Sequence, residues 1–357
     1  MPGVPERCPL LRALHPEVLY RSEWEPCPEQ PTGCLRETNR HPYRYTDLGW
    51  FDGERGYIWV GVGGMVMIVA LTGTAVAAWW SPDPAGEGYI CLPRVAVGDG
   101  FGALYLSYIN RRAPDLDWTT VYHAPLDEIG STTDPIVVLD EGLPSQPQRL
   151  SVSSRVVGAE IQPGAFNMLF ADGRWTALWG EPVVGTPQRV TVVGDFAYWE
   201  DWQDLQRIAF GSLDQPAAWL YRADPAQIRK LNSDGSNLAW VQLYFEPEIR
   251  IELWTAPVVT DAAEFSPRLV RTLAENPTIT RMGDGWFAIL YGEPQRIALI
   301  ELETGRSKTW VAPDGWGLSI HSDAPAYVSS VEVGFHVRDS DRNDFFVRLD
   351  PRTIPWD

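Results

Sequence analysis

A turn that keeps returning constrains this chain more than any other feature. An apolar run, then Asp-Gly or a close relative, then an aromatic-rich run occurs at Asp52-Gly53, Asp99-Gly100, Asp195, Asp234-Gly235, Asp284-Gly285 and Asp323-Ala324, with a degenerate copy at Ser153-Ser154. The spacings are 47, 54, 42, 39, 50 and 39 residues. Asp-Gly flanked by alternating apolar residues marks a tight hairpin, because both positions tolerate positive φ. Seven such turns at intervals of roughly 40–50 residues match a repeat of four short strands.

The units divide alike. From Asn276, strands are predicted over Thr278–Met282, Trp286–Tyr291, Arg296–Leu302 and Ser307–Val311. From Pro187 they are predicted over Arg189–Val193, Ala197–Asp201, Gln206–Gly211 and Ala217–Tyr221. No stretch keeps a 3.6-residue apolar period over three turns, so helix content should be low. The expected fold is all-β, a seven-bladed β-propeller of four-stranded antiparallel blades. The last unit, from Gly315, supplies Leu318–Ser322, Tyr327–Val337 and Asp344–Leu349, and then runs out of chain before an outer strand. The alternating segment Glu17–Trp24 is predicted to fill that place and close the ring, since an open edge invites aggregation. Residues 1–40 then form a Cys/Pro-rich extension with the closing strand, and 41–357 the propeller.

Gly56–Ser81 contains no charged residue and has the length and apolarity of a membrane span. Its five glycines, its Val and Ile content and the Thr72-Gly73 turn argue for strands instead. So does its parallel with the charged segment Ile300–Gly305, which reads as strand and turn.

The copy Leu231–Trp240, LNSDGSNLAW, resembles the short repeat of TolB-type propellers, a Ser-Asp-Gly turn followed by an apolar strand. The copies at Asp99, Asp284 and Asp323 resemble it more weakly. The resemblance covers the repeat turns only. It implies a periplasmic binding or scaffold domain, and no peptidase domain accompanies it here. Fold by itself does not set function.

The formal net charge of −18 argues against a nucleic-acid binder and against direct docking on anionic lipid. Membrane association is therefore expected only through a partner. Three of the four cysteines, Cys8, Cys27 and Cys34, fall in the Pro-rich leader, and the fourth is Cys91. An even count in a loop-rich leader reads as two disulfides in an oxidising compartment, Cys27–Cys34 being the most local pairing and Cys8–Cys91 the remainder. A four-thiolate zinc site is the rival, but no C-x-x-C pair is present. The expected location is periplasmic or secreted, although Met1–Arg7 shows no apolar signal core.

Catalytic signatures are sparse. No G-x-S-x-G, H-E-x-x-H or phosphate-loop motif occurs, and the five histidines are scattered. Carboxylate pairs such as Glu200 with Asp201, or Glu246 with Glu248, keep a glycosidase or lyase with carboxylates at the channel mouth as the alternative. Neighbouring strand residues face opposite ways, which makes the first a poor pair. Asp339, Asp341, Asn343 and Asp344 place oxygens at alternate positions on a short loop, a pattern that suits Ca²⁺, but the usual glycine at the sixth position is missing. On the strand division above, the loops between second and third strands carry Asp115, Asp117, Glu160, Glu200, Asp201, Asp204, Glu246, Glu248, Glu293 and the Asp339–Asp344 cluster. That places carboxylates on one face from six of seven blades. Trp118, Trp202 and Trp316 fall in predicted loops and are the candidates for a platform on which sugar rings stack. The expected function is an extracytoplasmic binding or scaffold protein. Its acidic face, with Trp118 and Trp202 as apolar anchors, would recognise a protein of the cell envelope or a cationic ligand.

Overall fold

The recurring turns do close hairpins between the first and second strands of antiparallel sheets. The computed structural model describes residues 24–28, 32–38, 187–201, 203–292, 295–318, 327–341 and 344–357. Between 46 and 177 it describes the strands, by backbone and pairing, with Ser153 and Val156. Six sheets of four strands follow one another, each from four consecutive strands, over 46–80, 90–141, 149–177, 187–222, 227–273 and 279–311. We number them first to sixth. A last sheet of six strands joins the chain's two ends. Among the described residues helix is confined to the single turns Ala262–Glu264 and Pro351–Thr353, and no helix is long and apolar enough to cross a membrane. The uncharged Gly56–Ser81 segment enters the first sheet as strands: it supplies all of Met65–Ala70 and Ala78–Trp80, and all but the first residue of Arg55–Val60.

The turns carry two kinds of chemistry. At Asp284-Gly285 both residues have positive φ, 49° and 74°, between the paired Gly283 and Trp286. This is the backbone that a two-residue hairpin needs. At Asp234 a side-chain oxygen does the work instead. Asp234 Oδ1 accepts from Ser236 N and from Asn237 N at 3.0 and 2.8 Å, while Oδ2 accepts from Gly285 N of the next sheet at 2.9 Å. Ser153 behaves alike: its Oγ accepts from Val156 N at 3.1 Å and donates to Gly194 O, in the next sheet's turn, at 2.6 Å. The repeated Asp and Ser therefore lace one sheet's turn to its neighbour's.

The seventh turn lies elsewhere than expected. Asp323-Ala324 falls outside the described residues. The hairpin between Tyr327–Val328 and Val333–Arg338 is made by Ser329–Glu332, where Ser329 N donates to Glu332 O and Glu332 N donates to Ser329 Oγ. The expected strand Tyr327–Val337 is thus two strands. Serine closes this turn as it closes the one at Ser153, because its oxygen accepts from the amide three residues on.

Apolar residues on both faces of the sheets make the cores. Trp286–Tyr291 is buried along its whole length. Phe287 and Ile289 pack against Ala239, Val241 and Leu253 of the fifth sheet, whereas Trp286, Ala288 and Leu290 pack against Val333, Phe335 and Val347 of the last. Trp240 and Tyr198 belong to one core between the fourth and fifth sheets, and Trp199 belongs with Val156, Val190 and Val192 to another between the third and fourth. The Tyr198 hydroxyl donates to Val259 O at 2.8 Å, and burial pushes its phenol well above the ordinary value.

The edge of the last sheet is filled from the N-terminus by a different segment than expected. Cys34–Glu37 pairs with Asp344–Leu349, and Trp24–Pro26 pairs outside it. Residues 17–23 lie outside the described residues, and Trp24 opposes Glu37. The later segment takes the place because Cys27 bonds Cys34 across the hairpin, with a Cα–Cα distance of 5.4 Å. Both cysteines are buried in the core between the sixth and last sheets. The pairing is the local one the leader suggested; Cys8 lies outside the described residues and Cys91 is in the strand Ile90–Val97.

The C-terminus docks on the same corner. Asp350 caps the turn Pro351–Thr353, and the Arg352 guanidinium holds its carboxyl below the usual range. Asp350 N donates to Gly33 O at 2.7 Å. Trp356 stacks on Trp286 at 5.8 Å, and Lys308 Nζ donates to Pro351 O at 2.6 Å. The Asp357 carboxylate accepts from the Ser307 and Thr309 hydroxyls on the sixth sheet's outer strand.

Two expectations follow. Gly33 has φ +73°, and a Cβ there would lie 1.8 Å from Thr353 Oγ1; Gly194 has φ +56° with open space around it. Gly33→Ala should cost at least about 1 kcal/mol more than Gly194→Ala, the difference being overpacking rather than backbone strain. Equal losses in urea denaturation would refute the contact between the two termini. Removing the disulfide through Cys27→Ser with Cys34→Ser should cost roughly 2–3 kcal/mol for so short a loop. An unchanged denaturation midpoint would show that the hairpin is held without it.

Candidate functional site

In each four-stranded sheet the loop between second and third strands and the connection to the next sheet emerge on one side. Backbone bonds tie these segments together: Ala223 N donates to Gln206 O, and Ile228 N to Leu205 O. This is the face on which the sequence placed an acidic rim.

The structure distributes those carboxylates unevenly. Glu200 is not on the rim. The second strand of the fourth sheet runs Phe196–Asp201, and Glu200 is fully buried within it. Its Oε1 accepts from Leu231 N of the fifth sheet at 2.6 Å and lies 3.9 Å from Arg189 Nε. Asp201 is buried too, its Oδ1 accepting from Gln203 N at 3.0 Å. Both carboxylates serve the junction between sheets. Asp204 is half-buried on the loop and pairs with Arg207 Nε at 2.7 Å. In the second sheet, Asp117 and Trp118 belong to the strand Leu116–Pro125, and in the third, Glu160 belongs to Val157–Gln162. All three were expected in loops; the strands extend further because their pairing continues, Asn110 opposite Trp118 and Arg149 opposite Glu160. Trp316 is core, edge-on to Phe345 at 5.0 Å. Asp115, Trp202, Glu293 and Asn343 lie outside the described residues. Asp339 and Asp341 follow the strand Val333–Arg338, and Asp344 opens the next. Among the described residues no three His, Cys, Asp or Glu side chains converge as a metal site.

Arginine is the signal missed on this face. Arg207, Arg250 and Arg296 each begin the third strand of their sheet. They lie over Trp219, Tyr244 and Tyr291 at 4.2–4.5 Å. Each pairs with a carboxylate, Asp204, Glu252 and Glu275 respectively. Part of the acidic face is thus neutralised in place, and the Arg five or six residues past the end of each of these second strands was legible in the sequence.

What remains prominent is the fifth sheet's loop. Phe245 and Ile249 are 55% and 75% exposed. Between them Glu246, Pro247 and Glu248 are exposed as well. Isolated apolar residues on a surface are ordinary, but two large ones framing two carboxylates on one projecting loop form an amphipathic tip. A cleft of about 410 Å³ lies at the outer corner instead, lined by Thr32, Gly33, Thr309, Trp310 and Ile354 among others. Among the described residues that line it none has an ionisable side chain, Cys34 being held in the disulfide.

No protein-family model and no curated protein matches the chain. Solved structures do. A streptogramin B lyase is 11% identical with a TM-score of 0.53, over 89% of this chain and 97% of its own. Virginiamycin B lyase from Staphylococcus aureus is 10% identical with a TM-score of 0.53, over 88% and 99%. Hsv2p of Kluyveromyces lactis is 10% identical over 85% and 96%, with a TM-score of 0.48. Identity this low carries the architecture alone, and the architecture is a β-propeller.

Proposed function

We propose that this chain is a seven-bladed β-propeller acting as an extracytoplasmic binding or scaffold protein, its partner docking on the face of the second-to-third loops. Seven sheets support the blade count, and the approach of Val333–Arg338 to Thr46–Trp50 supports closure of the ring. Residues 1–40 serve as the extension whose hairpin completes the last blade. The buried Cys27–Cys34 bond supports an oxidising compartment. The likeness of Leu231–Trp240 to TolB-type repeats agrees with a periplasmic setting.

The observation that carries the reading is the Phe245–Ile249 tip. Its apolar pair suits a slot on a protein surface, and Glu246 with Glu248 suit a basic rim around that slot. The fitting partner is a protein of the cell envelope with a basic patch. An enzyme of the glycosidase type needs one carboxyl held protonated by an enclosed site. Glu246 and Glu248 stand in solvent and Glu200 faces Arg189, so the nominated residues do not favour that alternative.

The test uses Phe245→Ser with Ile249→Ser, and separately Glu246→Lys with Glu248→Lys, scored by co-purification of envelope proteins at low and high salt. The apolar pair should weaken capture about tenfold or more at both salts. The charge reversal should weaken it mainly at low salt. Variants that melt like the parent and retain every partner with the same salt dependence would remove this face from consideration. Glu200→Gln, by contrast, should lower the melting temperature, as expected of a junction residue.

A further inference from the structure

Ser307–Val311 is the outer strand of the sixth sheet, so one of its edges faces away from the blade. Register decides which peptide groups lie on that edge. Glu301 N donates to Arg306 O and Ala312 N donates to Gln295 O, so Arg306, Lys308, Trp310 and Ala312 bond inward, toward Arg296–Glu301. Bonding alternates along an antiparallel strand, which turns the N–H and C=O of Ser307, Thr309 and Val311 outward.

The C-terminal tail covers this edge and stops halfway along it. Trp356 bridges Lys308 in the antiparallel sense, and Asp357 N donates to Ser307 O at 2.9 Å. One step further along the same register, Pro355 comes opposite Thr309. Proline has no N–H to give the Thr309 carbonyl. Upstream of it the tail leaves the edge through the turn Pro351–Thr353. Val311 lies beyond the tail and is 46% exposed. Among the described residues no strand pairs with its outward N–H and C=O.

The cleft of about 410 Å³ lies at the same place: Thr309–Val311 line it from the strand, Thr353–Pro355 from the tail, and Leu349 from the last sheet. That volume is in the range of small-ligand pockets. Natural edge strands are commonly guarded by charge, Lys above all. Lys308 does not guard this one, since it is buried and its Nζ donates to Pro351 O at 2.6 Å. The outer strand of the fifth sheet differs. There Arg268 donates across to Leu302 O and Arg271 to Gly305 O, so that charged side chains and the neighbouring blade cover the strand.

We propose that the edge at Thr309–Val311 is a strand-addition site, and that its ligand is an extended peptide segment of a partner protein, uncharged and with an apolar side chain for the cleft. The peptide's main chain takes up the ladder where Pro355 breaks it, bonding the Val311 N–H and C=O and the Thr309 carbonyl. Main-chain bonds of this kind supply affinity, and a side-chain pocket beside the edge supplies specificity. The segment is uncharged because the cleft has no counter-ion for a charge taken out of water. This site is on the outer perimeter, apart from the Phe245–Ile249 tip, and stands or falls independently of it.

The experiment follows amide hydrogen exchange of the full, unmodified chain with an acetylated and amidated pentapeptide of alternating Thr and Leu. Two control peptides are the same sequence with N-methylated amides and the same sequence with Glu in place of Leu. At ten times its dissociation constant the plain peptide should slow exchange of the Val311 amide about tenfold. The amides of Phe245–Ile249 should exchange as before. Each control should bind about tenfold more weakly or worse. Val311→Pro removes an N–H that the sheet itself does not use, so the variant should melt close to the parent and lose affinity by about tenfold or more. Phe245→Ser with Ile249→Ser should bind the peptide as the parent does. No slowing at Val311 up to millimolar peptide, slowing confined to Phe245–Ile249, or equal affinity for the methylated peptide would overturn the site. So would unchanged affinity in folded Val311→Pro; if that variant does not fold, exchange at Val311 in the unmodified chain decides.

Discussion

The fourth, fifth and sixth blades depend on burial on both of their faces. Phe196–Asp201 is buried at every position after the first, and Trp286–Tyr291 at every position. A sheet with one wet face would alternate apolar and polar side chains. Here Ala239 and Val241 look one way while Leu238 and Trp240 look the other, into different cores. The fourth, fifth and sixth sheets each bury their two faces against two neighbours, so none of the three carries its core alone. The laced turns follow from that need. Asp234 reaches Gly285, Ser153 reaches Gly194, and a Cβ on Gly283 would meet Val328 O at 1.9 Å. Backbones approach most closely where the sheets converge, and small or hydrogen-bonding residues occupy those points.

Much of this was legible. Asp284-Gly285 and the strands of the sixth sheet follow from local chemistry, since a hairpin with two positive φ values needs those residues wherever it sits. Ser329–Glu332 was not legible, because one serine oxygen does the work of Asp-Gly without its composition. The closing strand was misplaced for a different reason. Glu17–Trp24 alternates better than Cys34–Glu37, but the disulfide and the Asp350–Gly33 bond decide the outcome, and both are tertiary. Glu200 shows the limit of reading charge by position. Asp201, one residue nearer the loop, is buried as well, and Glu200 within the strand meets Leu231 N and Arg189.

The acidic total also hides an ordered separation. Arg207, Arg250 and Arg296 recur at one position of consecutive blades and hold carboxylates of the loop face. The first strands of the second to sixth sheets carry Arg94, Arg149, Arg189, Arg229 and Arg281, whereas that of the first sheet carries Asp47. Composition sums these, and the sum says only that the surface is acidic. Blade position is what groups the paired arginines, and it becomes visible once strands are counted from the repeat turn.

The two chain ends make the last argument about stability. The last blade is the one place where a propeller's covalent connectivity fails, because its outer strands come from the other end of the chain. The cost of ordering that segment has to be met by contacts outside the ladder. The N-terminal hairpin is shortened by its disulfide, so less freedom is lost when it docks. The C-terminal tail then bridges it to the sixth sheet. Asp350 bonds Gly33, Trp356 lies on Trp286 with Arg306 and Lys308 against its ring, and Asp357 holds Ser307. Loss of either end thus weakens the hold on the other, and the seam should open as one unit rather than strand by strand.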